Sequence, residues 1–212
     1  YNEVTAIYWA ANNLNADAIG LVHYRRYFSK KSLFPKKDFS SILNKREIEE
    51  LLKSSSIIVP KPRNYYIETI ESHYRHSHSA IGIDALYEVI VEQPEAYRDS
   101  FVKVMHSKHA HMFNMFIMRR QEFMAYSSWL FSILFAVEAK INFSKLQGNE
   151  TRVMGFLAEL LMDTWLLANK KTYVECPVIF MENEHIIKKA RNLIVNKLTG
   201  THVQLDTHIG TK

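Results

Sequence analysis

Cysteine occurs once in the 212 residues, at position 176. One thiol excludes an intramolecular disulfide and any zinc cluster built on several cysteines, and it fits a reducing compartment. Long apolar runs are also missing. The strongest stretches, 129–137 and 156–168, are short and interrupted, closed or punctuated by Glu138, Lys140, Glu159 and Asp163. Both read as packed helices rather than membrane spans, and no secretory leader is visible. The sequence contains no Walker loop, GxGxxG, GxSxG or HExxH, and no Asp-x-Asp pair for a metal ion. Its aromatic residues are spaced as core and form no single-stranded nucleic-acid platform. Internal repeats and low-complexity tracts are absent.

What is present is an ordinary globular composition, 47% hydrophobic and 23% charged, with a net charge of +5. The length fits one domain, and the positive balance points to an anionic partner: a nucleotide, a membrane surface or a nucleic acid. Apolar spacing predicts helices near 2–12, 46–53, 83–93, 95–106, 120–141, 151–168 and 184–197, with a partly helical segment at 64–79. Short strands are predicted at 18–23, 56–60, 112–118 and 178–180, and a basic loop at 29–37. Short buried strands alternating with helices define an α/β fold. Tyr1 stands inside a helical pattern, so the chain reads as part of a longer protein whose further strands precede it. Residues 1–198 are expected to form one domain and 199–212 a flexible tail.

Four constellations carry chemistry. An apolar run ends abruptly in His23-Tyr24-Arg25-Arg26, and the carboxyl end of a strand is where α/β proteins hold ligands. Two adjacent guanidinium forks there suit a phosphate, or equally a solvated basic turn. His73, His76 and His78 fall within six residues. On a helix His73 and His76 share a face and His78 does not, so a ligand-facing polar segment is favoured over zinc. Asn114 places an amide in the apolar run MFNMFIM, where it must either fix backbone or reach a substrate hydroxyl. Glu159 lies on an otherwise apolar helix; it is either paired, with Arg152 or another arginine, or catalytic with a raised pKa.

Taken together, the stretches YNEVTAIYW from Tyr1, GLVHYRRYF from Gly20, IIVPKPRNYY from Ile57, HMFNMFIMRRQEF from His111, WLFSILFAVE from Trp129 and RVMGFLAELLMDTWL from Arg152 resemble a family of bacterial capsular-polysaccharide and O-antigen glycosyltransferases catalogued as a domain of unknown function. They span most of residues 1–180 in order. The resemblance implies a GT-A-like mixed sheet flanked by helices, with a helix-rich C-terminal half. It also implies a hexosyltransferase using a nucleotide-sugar donor and a saccharide or lipid-linked saccharide acceptor, at the cytoplasmic face of the inner membrane.

Under that resemblance His23, Tyr24, Arg25 and Arg26 bind the donor diphosphate, where related folds present metal-binding acids. Asn114, His73, His76 and Arg152 meet donor or acceptor sugar, and Glu159 or Asp84 is the base, with Glu159 preferred. No residue is assigned to a metal; a divalent Mg or Mn ion is left open. Two other readings compete: a non-catalytic carbohydrate- or nucleotide-binding module, and a basic nucleic-acid-binding protein, for which nothing but net charge speaks.

Overall fold

The computed structural model describes residues 2–30 and 38–181. The predicted helix 184–197, the tail 199–212 and most of the basic loop 29–37 lie outside the described residues. In chain order the elements are α1 (Glu3–Asn13), β1 (Ala18–Leu21), β2 (Arg26–Phe28), α2 (Lys45–Ser54), β3 (Ile57–Pro60), β4 (Arg63–Asn64), α3 (Ile70–Ser77), α4 (Ala80–Val91), α5 (Glu95–His106), β5 (His109–Ala110), β6 (Phe116–Arg119), α6 (Arg120–Glu138), α7 (Val153–Ala168), β7 (Val174–Cys176) and β8 (Val178–Phe180). The expected mixed α/β sheet flanked by helices is present.

Helix starts follow local chemistry. Asn44 and Glu47 form a reciprocal capping box on α2, and the side chains of Thr69 and Ser79 accept backbone N–H groups at the starts of α3 and α4. The central sheet runs β1-β6-β3-β7, with β6 antiparallel to both neighbours and β3 parallel to β7. Strand alternation divides the core. Ile57, Val59, Phe116 and Met118 join the large cluster under α4–α7, while Ile58, Met115 and Ile117 face a smaller one with Leu52. Gly82 lets α4 approach α7 closely, since a Cβ there would collide with Val153. No described helix is long and apolar enough to cross a membrane.

Two local expectations are corrected. The strand predicted over 112–118 is regular only from Phe116, because Phe113 and Asn114 adopt φ of 79° and 51° and break the ladder. Asn is among the few residues that tolerate this left-handed conformation. The strand predicted over 18–23 also ends early, at Leu21, and the chain turns there. His23 to Arg26 closes tightly, with the Arg26 N–H donating to the His23 carbonyl at 3.3 Å, and β2 then pairs antiparallel with β8.

One consequence of the topology positions the site. The carboxyl ends of β1, β3 and β7 and the start of β6 lie at the same end of the sheet. The segments carrying Arg26, Arg63, Tyr65 and Phe113 all leave the sheet there.

Candidate active site

A cavity of about 210 Å³ opens at that end. Arg26 reaches it from β2, Arg63 and Tyr65 from the segment after β3, Met112 and Phe113 from the approach to β6, His73 and His78 from α3, and Phe156 and Glu159 from α7. Its walls are largely aromatic. The imidazole of His78 stacks on Phe156 at 4.0 Å between centroids, and Tyr65 lies 4.5 Å from His73. The guanidinium of Arg26 sits 4.3 Å over the Phe113 ring, and that of Arg63 sits 4.8 Å over Tyr65. Stacking of this kind holds each cation while leaving its N–H edge for a ligand.

Glu159 is the carboxylate of the cavity. Desolvation pushes its pKa up to about 7, the nearby charge of Glu3 adds to this, and the Phe113 backbone N–H, Arg26 and Arg152 oppose it. The residue is part-exposed and lines the cavity. Arg152, the expected pairing partner, instead meets Glu3 Oε1 at 3.4 Å and lies over Phe156. A carboxyl group that titrates near neutrality suits proton transfer.

The predicted residues divide. Arg26, His73 and Glu159 line the cavity together. His23 supports it: Nε2 is hydrogen-bonded to the Phe113 carbonyl, so this nitrogen carries the proton, and Nδ1 lies 3.7 Å from Glu3 Oε1. Arg152 shares Glu3 with it. Tyr24 is exposed, and its ring carries the Arg25 guanidinium at 4.4 Å; neither residue is among those lining the cavity. Asn114 is buried and donates to the Gly155 carbonyl at 3.1 Å, fixing the left-handed turn to α7. His76 stands outside the cavity, sharing Glu68 with His73 at 2.7 and 2.9 Å. Asp84 pairs with Arg75 at 2.8 Å on an exposed face, away from the cavity lining.

Sequence reasoning missed Arg63, Tyr65, Phe113 and Phe156. It also set His78 apart from its neighbours as lying off the helical face. The helix ends at Ser77, however, and the extended backbone of His78 turns its ring into the cavity. The Pro60-x-Pro62 break followed by Arg63-Asn64-Tyr65 was the available signal for a ligand loop at a strand end. Among the described residues no group of three or more His, Cys, Asp or Glu side chains is arranged to hold a metal ion.

A second, larger cavity of about 470 Å³ lies beside β5, between α5, the end of α7 and β7. Its wall holds buried His111, whose Nδ1 pairs with Asp163 and whose Nε2 lies 3.3 Å from Glu175. Burial would lower the His111 pKa, but the two carboxylates outweigh it and raise it.

An α/β domain with a mixed sheet and a ligand-sized cavity at its strand ends is thus defined. The chain belongs to the family described as a domain of unknown function, DUF4422, which matches residues 1–170. No curated protein matches it. A solved structure of WbbM, a bifunctional glycosyltransferase in its apo form, shares the fold with a TM-score of 0.76 and 25% sequence identity over 87% of this chain. The match covers 37% of the WbbM chain, so this chain spans little more than a third of that protein's length.

Proposed function

We propose that this domain is a glycosyltransferase that moves a sugar from a nucleotide-sugar donor to a saccharide acceptor, free or lipid-linked, in capsular or O-antigen polysaccharide assembly at the cytoplasmic membrane face. The fold shared with WbbM supports the reaction class. The observation that carries the reading is the placement of Glu159, a carboxyl group whose pKa burial pushes up to about 7, in one cavity with Arg26 and Arg63.

In this scheme Glu159 accepts the proton of the acceptor hydroxyl as its oxygen bonds to the anomeric carbon. The bond from that carbon to the diphosphate breaks, and the nucleoside diphosphate leaves with the electron pair. Arg26 and Arg63 offset the charge that grows on the departing phosphate. His23 and Arg152 act on this arrangement through Glu3, and Asn114 acts through the turn at Phe113. The lining arginine of the pair is Arg26, so the diphosphate role is centred there rather than on Arg25.

The test is release of nucleoside diphosphate from a panel of UDP-, GDP- and dTDP-hexoses, with and without oligosaccharide acceptors. Glu159→Gln is expected to lower turnover by roughly 10²- to 10⁴-fold while donor binding persists, and Arg26→Ala to weaken donor binding. Donor binding without turnover in the wild type would favour the non-catalytic module, and salt-sensitive DNA binding in its place would favour the nucleic-acid reading.

A further inference from the structure

Several buried hydroxyl groups have no hydrogen-bond partner, and two of them belong to cavity-lining residues, Tyr65 and Tyr74. The Tyr74 hydroxyl is packed toward Gly82 of α4, which leaves Tyr65 as the candidate for a ligand. Tyr65 is 8% exposed. The charges its hydroxyl feels are those of Arg63 and Glu159, both cavity residues. A buried hydroxyl left unpaired costs stability, and such a cost persists at sites where a ligand makes the missing bond. The cavity's volume, about 210 Å³, equals roughly seven waters' share of liquid volume. That is room for one six-membered sugar ring. The lining offers the two chemistries of such a ring: apolar ring surface from Phe156, Phe113 and Tyr65, and polar groups from Arg63, His73 and Glu159.

We propose that this cavity is a single-pyranose subsite in which the Tyr65 hydroxyl and the Glu159 carboxyl hydrogen-bond hydroxyl groups of the bound sugar, making Tyr65 a determinant of which sugar is accepted. The inference deepens the glycosyltransferase reading and rests on it for the class of ligand. A site built to bond a hydroxyl discriminates strongly against an analogue that lacks it, because its own polar groups are then left unpaired. The phenol serves as either donor or acceptor, and the carboxyl does so according to its protonation.

The test uses ligand-observed saturation-transfer NMR on the full chain, with the methyl pyranosides of glucose, galactose, mannose and rhamnose and the deoxy analogues of any that bind. At least one methyl pyranoside is expected to bind. Tyr65→Phe should weaken it by roughly three- to tenfold and reduce the preference over one deoxy analogue. Its melting temperature should hold or rise, since the substitution removes an unpaired buried hydroxyl. Tyr126→Phe is the control: its hydroxyl is also buried and unpaired, but the ring lies in the core against Phe116 and Trp165. That variant should share the thermal behaviour and leave binding unchanged. Equal binding by wild type and Tyr65→Phe, or no binding of any pyranoside, overturns the subsite. Pyranoside binding without turnover of any nucleotide sugar would keep the subsite and remove the transferase. Turnover unaffected by Tyr65→Phe would do the reverse.

Discussion

Glu159 and Asp163 stand one turn apart on the same face of α7, yet they live in opposite electrostatic conditions. Asp163 receives the His111 backbone N–H at 2.9 Å and the His111 imidazole, so its charge is matched at close range. Glu159 receives a single backbone N–H, stands near another carboxylate in Glu3, and opens onto a cavity. The first arrangement resembles a rivet between α7 and the approach to β6. The second leaves a carboxyl group whose ionisation is unfavourable in the folded protein. Where the fold satisfies a charge it gains cohesion, and where it withholds partners it keeps a group available for a substrate.

The comparison can be broken by exchanging charge for amide at each position. Asp163→Asn should cost about 3 kcal/mol, because it leaves the His111 imidazolium buried without its main counterion; chemical denaturation would measure this. The wild-type contribution also depends on pH. The folded-state pKa of His111 is raised, so its stabilisation is complete below about 6.5 and fades as pH climbs through the folded value. Denaturation curves across that range should show the loss in the wild type and little of it in Asp163→Asn.

Glu159→Gln should act in the opposite sense. The native carboxyl holds its proton up to about 7 against a reference of 4.5, so wild-type stability falls as pH rises between those values and then levels. The amide removes that slope and should raise stability above neutrality by as much as about 3 kcal/mol. A loss of stability in this variant would mean that Glu159 is paired like its neighbour. The smallest effect belongs to Asp84→Ala: its pair with Arg75 is half exposed, so stability should change by less than about 1 kcal/mol, with turnover unaltered.

Most elements were legible from periodicity, including the near match of α5 to residues 95–106 and of β8 to 178–180. Legibility failed where tertiary contacts decide the outcome. MFNMFIM has the composition of a buried strand, but the bond from Asn114 to Gly155 and the positive φ at Phe113 and Asn114 bend its first half into the site. The three-residue strand β2 has no pattern of its own; it exists because β8 lies beside it. In the site, Glu159 stood out because an acid on an apolar helix is rare. Tyr65 did not, since nothing local tells a tyrosine with an unpaired hydroxyl from one in the core.

The pairing of β2 with β8 has a practical consequence for anyone trimming this domain. Family similarity ends at residue 170, which invites a cut there. Arg26, however, pairs with Phe180 across the ladder, and the Met181 N–H donates to the Arg25 carbonyl at 3.0 Å. Such a cut would strip one side of the ribbon that aims Arg26, and would expose both β2 and β3 as open edges ready to recruit foreign strands. A version of this domain that keeps both ladders therefore extends past the end of its own family signature.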